Sequence, residues 1–338
     1  MFVYTNEAVT NNSPRLVYNL NLYKSTKSNN HMQDTIVTPE IEQKLLRAGK
    51  VAAQVRREGA KKLAVPGASF LEVMDFCESR IKELGAEIAW AQLALNDVAA
   101  HECPAQDDKK VSKAGDIIKI DIGTHIDGYI ADNAMTVQVE TDKYNDLIKA
   151  SQNALKAAIK LVEPGRELWE IGEAQYSEAE KFGFTTIKNL CGHSLGRHRV
   201  HAGVSIPTFN NKDRTQLKKG WQIAIEPFVT PGDGFVVNKG QATVWMMNHL
   251  KGVRSPFARK IIDEVKPLNG LPFTNRWLTR KFGMGATKLG LRELNRLGII
   301  TGYPPLAERT GKMVSQFEHS MIIKDKAKVY TRHSDDTW

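Results

Sequence analysis

Residues 116–137 read DIIKIDIGTHIDGYIADNAMTV, and the rest of the chain is organised around them. Ile118, Ile120 and Ile122 recur at every second position, the period of a strand with one buried face. Asp127-Gly128 is a strong hairpin signal, because a type I′ turn needs positive φ at both central residues. Beyond it, Tyr129, Ile130, Thr136 and Val137 resume a strand pattern. With a two-residue loop, position 126 faces 129, so Asp132 sits opposite Gly123 and on the same face as Asp121. The two carboxylates become diagonal neighbours, with Cβ atoms roughly 7 Å apart or somewhat less. That spacing suits oxygens gripping two metal ions ~3.5–4 Å apart, and the glycine leaves room for them. The plain alternative is a solvent-facing hairpin that carries two exposed acids.

The chain has 338 residues, enough for one large domain or two modest ones. At 41% hydrophobic and 25% charged, its composition is that of an ordinary globular protein. Its apolar runs are far short of the ~20 residues that span a bilayer, so no membrane partner is expected. Cys77, Cys103 and Cys191 are too few and too scattered for a disulfide framework, which suits a reducing cytoplasm. Residues 1–36 are rich in Asn, Ser, Thr and Lys and show neither a signal-peptide core nor a transit-peptide pattern. They read as an unstructured extension or a misassigned start, with Met32 as the alternative first residue.

Order is expected from Thr38-Pro39, a capping threonine before a proline at the first helical position. Ile41, Leu45, Ala48, Ala52 and Val55 keep helical spacing up to Pro66-Gly67. Ser69-Phe-Leu-Glu72 is a capping box that opens a second helix, closed by Gly85. A strand-like segment, 87–100, leads into His101. Helical patterns follow at about 143–163 and 168–182, short strands near 185–190, 199–205, 221–228 and 315–323, and a helical stretch at roughly 254–300. Helices and strands mix without regular βαβ alternation, which predicts an α+β fold.

Three further places carry ligand-type side chains in otherwise apolar patterns. Glu226 lies among Ile223, Ile225 and Phe228; Glu318 heads a hydrophobic strand; His193 follows Cys191-Gly192 in a glycine-rich loop. A buried lone carboxylate costs several kcal/mol unless it is paired or metal-bound. Each glutamate alone also fits an ion-paired strand end, and the histidine alone a loop residue. Taken together, Asp121, Asp132, His193, Glu226 and Glu318 form a set rich in hard oxygen donors. That set suits a pair of Mn, Fe(II), Co or Zn ions better than a closed structural zinc site. Cys103, near His101, has no supporting triad and is set aside as a nucleophile. His198 and His319 read as structural.

In this order, IDIGTHIDGYIAD, NLCGHSLGRHRVHAG, AIEPF and QFEHS resemble the metal-site motifs of methionine aminopeptidases with the pita-bread (creatinase/aminopeptidase) fold. ALNDVAAH resembles the segment that precedes them, and LPFTNRWL and GIITGYPPL resemble the helical, winged-helix-like insertion of the type 2 enzymes. The likeness runs from about Ile41 to Ile323 and is archaeal-like in lacking a long charged amino-terminal domain.

It implies a catalytic domain over 37–250, the insertion over 251–312, a return strand at 313–330 and a tail at 331–338. It implies removal of an initiator methionine before a small second residue, with two divalent metal ions (Co, Mn, Fe or Zn) on the five ligands and Asp132 and Glu318 shared between them. Glu226 would also move protons, His201 would steady the scissile peptide, and His101 would line the cleft. A monomer acting on nascent-chain amino termini is expected.

The chain departs from that pattern at Ala89-Trp90, where the family usually has Phe-Pro, and at Glu102-Cys103-Pro104, where it has Tyr-Thr-Pro. Trp90 is therefore expected to wall the methionine pocket in place of the missing Phe, with Tyr303 opposite. Residues 251–296 carry eleven Lys and Arg against three acids, a surplus of eight in a chain of net charge +9. That concentration, together with the nascent-chain substrates that the resemblance implies, predicts docking on ribosomal RNA near the nascent-chain exit; the plain alternative is solvated helix faces.

Overall fold

The computed structural model describes residues 37–336, so the reading of residues 1–36 and the last two tail positions lie outside the described residues. The hairpin adopts the register read from its turn. Ile126 pairs with Tyr129 and Gly123 with Asp132, and Asp127 and Gly128 take φ of 53° and 81°. On the first strand, Ile117–Ile126, the isoleucines at even positions join the core while Asp121, between them, lines a cavity. Ile118, Ile120 and Ile122 are wholly buried, each contributing about 1.5–3 kcal/mol of burial. The helix against them is Pro39–Leu63, capped by Thr38, which accepts the Ile41 N–H at 3.3 Å. Gly59 lets it close in, because a Cβ there would stand 2.5 Å from Ile120 Cδ1.

The other edge of Ile117–Ile126 pairs antiparallel with Glu87–Leu95. The register slips between Ile88 and Trp90, so one strand holds an extra residue there. Such a bulge re-aims the side chains beyond it. The expected strand at 87–100 is interrupted: Asn96 takes φ of 53°, and Val98–Ala100 joins a different sheet. The strand expected at 199–205 is instead a tight turn, with Gly196 bridged to Arg199, and only Ser205–Ile206 is extended.

A second, five-stranded sheet runs in the order Ala327–Val329, His319–Ile323, Gln222–Ile225, Gly192–Ser194, Ser205–Ile206. It is joined to the hairpin at Ser320, whose hydroxyl accepts the Asp132 N–H at 3.0 Å and donates to the Asp132 carbonyl at 2.8 Å. The tail is built into this joint. Thr331 Oγ1 accepts the Ser320 N–H at 3.0 Å, the Tyr330 hydroxyl donates to the Ile130 carbonyl at 3.0 Å, and Asp336 pairs with a wholly buried Arg56. Antiparallel sheets and segregated helices make the fold α+β, as the pattern predicted.

A lobe with its own core stands on this body. Three helices, Pro256–Val265, Asn275–Phe282 and Met284–Arg296, cover a sheet ordered Phe273–Thr274, Val244–Met247, Ile300–Tyr303. Ala258, Ile261, Leu278, Leu294 and Ile299 are buried between them. Its pairing starts at Val244 and closes at Tyr303, and Leu306–Glu308 pairs with Val236–Asn238 in the body. Both edges thus lie ahead of the expected 251–312, because strand partners rather than local composition set them.

The reading of the lobe's charge needs correction. Arg276 is wholly buried and ion-paired with Glu78, Arg280 holds Asp75 at 2.9 and 2.5 Å, and Lys281 pairs with Glu264. Arg276 is thus withdrawn from any phosphate backbone, while Arg280 and Lys281 stay exposed but already neutralise acids of the fold. Lys251, Arg254, Arg259, Lys260, Lys266, Lys288, Arg292 and Arg296 are exposed.

Candidate metal centre and active site

Five strands deliver five polar side chains to one cavity between the body and the lobe, Asp121 from Ile117–Ile126 among them. Asp132 comes from the hairpin, His193 from Gly192–Ser194, Glu226 from just past Gln222–Ile225, and Glu318 from just before His319–Ile323. Gly192 makes the delivery of His193 possible, since a Cβ there would stand 2.4 Å from the Ala224 carbonyl oxygen. One ligand atom each from Asp132, His193 and Glu318 lie within 4.8 Å of one another, all three residues buried. His193 Nε2 is 3.5 Å from Asp132 Oδ2 and 3.5 Å from Glu226 Oε1. Gln316 donates to the other Glu226 oxygen at 3.2 Å.

The charge state of this group calls for a cation. Burial and the neighbouring acids push Asp132 and Glu318 well above the usual carboxyl range. Burial first, then the charge of Asp121, raises Glu226 to about 8, and burial raises Asp121 to about 6. Burial drives His193 down to about 3, which leaves a neutral imidazole able to donate a lone pair. Asp132 Oδ1 and Glu318 Oε1 are buried without a hydrogen-bond partner among the described residues. Among the described residues, no Lys or Arg lines the cavity. Unpaired buried oxygens of this kind cost several kcal/mol unless an ion satisfies them, so the donor set fits divalent metal.

Asp121 is held differently. Its Oδ1 accepts the Trp90 indole N–H at 2.8 Å, and its Oδ2 accepts the Gln92 amide at 2.7 Å. The space above Gly123 is not left for ions. The Trp90 ring occupies it, and a Cβ on Gly123 would fall 2.3 Å from the indole. Trp90 does line the cavity, as does Tyr303, but Tyr303 stacks edge-on against His101, with centroids 5.5 Å apart at 79°. His101 takes a φ of 62°, a left-handed conformation that costs of order 1–3 kcal/mol in a non-glycine residue. Burial lowers its pKa to about 3, opposed by a hydrogen bond with the Pro304 backbone. His201 sits edge-on to His193 at 4.7 Å. Val244, Met246 and Pro272 of the lobe complete an apolar wall.

The family model for metallopeptidase family M24 matches residues 43–255. A methionine aminopeptidase of Pyrococcus horikoshii is 46% identical over 292 residues, covering 85% of this chain and 98% of that protein. The chain belongs to the methionine aminopeptidases of family M24. Methionine aminopeptidase 2 of Clavispora lusitaniae is 32% identical over 93% of this chain and 74% of its own length. Among solved structures, a methionine aminopeptidase from Rickettsia prowazekii matches with a TM-score of 0.65 at 22% identity, over 88% of this chain and 99% of that one. The fold is therefore the pita-bread fold, and the chain is an aminopeptidase, a hydrolase dependent on divalent metal.

All nine site residues named from the sequence line this one cavity: Trp90, His101, Asp121, Asp132, His193, His201, Glu226, Tyr303 and Glu318. Gln92, Met246, Pro272 and Gln316 went unread. Gln92 stands directly opposite Asp121 across the strand pair, but that register depends on a bulge no local pattern marks. Gln316 had a usable signal, being two residues from Glu318 and on the same strand face. Cys103 is buried, its thiol pushed up to about 12 by burial, an inert group as the sequence reading had it.

Proposed function

We propose that the chain removes the initiator methionine from polypeptides whose second residue is small, using two divalent ions held by Asp121, Asp132, His193, Glu226 and Glu318. The observation that carries this is the convergence of unpartnered buried carboxyl oxygens and a neutral imidazole on a cavity with an apolar wall. Bound there, two such ions supply a hydroxide near neutral pH and polarise the scissile carbonyl. Asp132 and Glu318, each with a buried oxygen lacking a hydrogen-bond partner among the described residues, would be the ligands held in common. Glu226 takes a proton from the attacking water and hands it to the leaving amine, as base and then acid. His201 donates to the scissile peptide as negative charge develops on its oxygen. His101, kept neutral by burial, lines the pocket with Tyr303, while the Trp90 face, Met246 and Val244 receive the methionine side chain. Sulfur–aromatic contact favours that seat by ~0.3–1.5 kcal/mol.

The test is cleavage of peptides beginning Met-Ala, Met-Leu and Ala-Pro after reconstitution of the metal-free protein with each of Co, Mn, Fe(II) and Zn. Met-Ala is cleaved fastest, Met-Leu slowly and Ala-Pro not at all. Preference for Ala-Pro would make the chain an X-Pro peptidase instead.

A second element of the reading concerns partners in the cytoplasm. The eight exposed cations of the lobe outside the Asp75 and Glu264 pairs favour docking on ribosomal RNA, where the nascent amino terminus emerges from its exit. Reversal to Glu at Lys260, Lys288 and Arg292 should cut ribosome co-sedimentation while sparing short-peptide hydrolysis. Binding by the parent should weaken about 10³-fold between 50 and 200 mM salt if six phosphates are engaged. Unchanged pelleting would reduce the patch to a solvated face.

A further inference from the structure

We infer that Trp90 and Gln92 are positioning residues for Asp121, their two N–H groups fixing its carboxylate as the ligand of the ion that Asp132, His193 and Glu318 do not themselves enclose. The inference rests on the ligand set proposed above. Asp132, His193 and Glu318 converge within 4.8 Å, and Asp121 is outside that trio. What holds Asp121 is one donor on each oxygen, Trp90 at 2.8 Å and Gln92 at 2.7 Å. Two donors on opposite oxygens stop the carboxylate from turning about its bond. Each oxygen keeps a second in-plane lone pair, since an ionised carboxylate offers about four acceptor sites. The group is thus oriented without being used up.

The backbone is arranged for this contact. The bulge after Ile88 shifts the register by one residue, so Trp90 lies opposite Gly123 and Gln92 opposite Asp121. Without that extra residue, the strand's alternation would turn both side chains to the other face. Gly123 then admits the indole, where any Cβ would fall 2.3 Å from the ring. Trp90 is itself packed among Ile130, Leu195, Val200 and Leu271, which anchors the donor. Outer partners of this kind orient metal ligands, and their loss costs 10–100-fold in metal affinity.

The experiment is titration of the metal-free protein with Co(II), followed by calorimetry and by the visible absorption of bound cobalt. Parent, Trp90→Phe, Gln92→Leu and Asp121→Asn are compared; the phenylalanine keeps a ring over Gly123 and removes only the donor. One ion should bind alike in the parent and both donor variants, while the Kd of the other rises 10–100-fold in each, with a changed cobalt spectrum and an unchanged melting temperature. An unaltered or tightened second ion in both variants overturns the inference. So does weakening of both ions together with a fall in melting temperature, which is the mark of a purely structural role. Asp121→Asn separates the two readings. If it loses one ion while the donor variants bind like the parent, only this inference fails. If it keeps both ions, or the parent takes up a single ion, the proposed ligand set fails and the inference with it.

Discussion

Charge is buried in two regions of this molecule. At the joint between lobe and body, buried Arg276 faces buried Glu78, the Trp277 indole adds a hydrogen bond to Glu78 at 2.9 Å, and the more exposed Arg280–Asp75 pair flanks them. At the other region, Asp121, Asp132, Glu226 and Glu318 share a cavity with His101 and His193, kept neutral by burial, and among the described residues with no Lys or Arg. The joint is balanced within the chain; the cavity is not. Both are expensive, because burying a charge costs several kcal/mol even after relaxation. The difference shows which cluster belongs to the fold alone and which waits for something from outside it.

That contrast breaks most sharply at Glu318. Glu318→Ala is expected to abolish turnover and lower metal content, while the metal-free protein becomes no less stable, since a repelling acid has gone. A clear fall in metal-free stability, seen by denaturant unfolding, would show that Glu318 is already compensated. The joint should answer with the opposite sign. Glu78→Ala leaves the buried Arg276 with only its 3.5 Å contact to Asp75, for a loss of up to about 3–5 kcal/mol in unfolding free energy, with the metal bound as before. Replacing the pair by Leu at 78 and Met at 276 should recover most of that loss, and failure to recover would mean that the joint needs its charges.

His201→Ala sharpens the division inside the cavity. It should lower kcat by roughly 10²–10³, the usual loss of one oxyanion donor, with metal content unchanged. If the metal leaves, His201 is a ligand.

The smallest effect is one of pH. Acids whose folded pKa is raised hold protons that the unfolded chain has released, so they make stability fall as pH rises. For Glu226 the window runs from its ordinary value of 4.5 to about 8. Below about 6.5, His101 and His193, driven down to about 3, act in the opposite sense, as does Lys119, lowered to about 7, above that value. The carboxyl contribution is therefore read as a difference. Metal-free parent should lose more melting temperature than metal-free Glu226→Gln between pH 6.5 and 8, and saturating metal should remove the gap. Parallel curves would mean that Glu226 is not strained in the metal-free fold.

Much of this was legible in the chain. The hairpin register followed from Asp127-Gly128, because the backbone twist of a two-residue loop admits few residues and sets every pairing behind it. The helix starts at Thr38 and Ser69 followed from their caps, which act on N–H groups three residues away. The types of the four acids and one histidine pointed to metal because such side chains rarely sit in apolar strands unpaired. These are local causes, and they act within a few residues of their effect.

What the tertiary structure alone decided is a matter of which distant groups meet. Gly123 was read as room for ions, yet a residue some thirty places earlier fills it, because a bulge at Ala89 turns Trp90 inward. Arg276 was read as part of a surface patch, yet Glu78 draws it into the interior. The edge of the lobe at Val244 is set by strand partners at Phe273 and Tyr303. A composition records how many charges and rings a segment carries. Whether a charge is compensated, and which gap a ring fills, depends on partners brought together only by the folded chain.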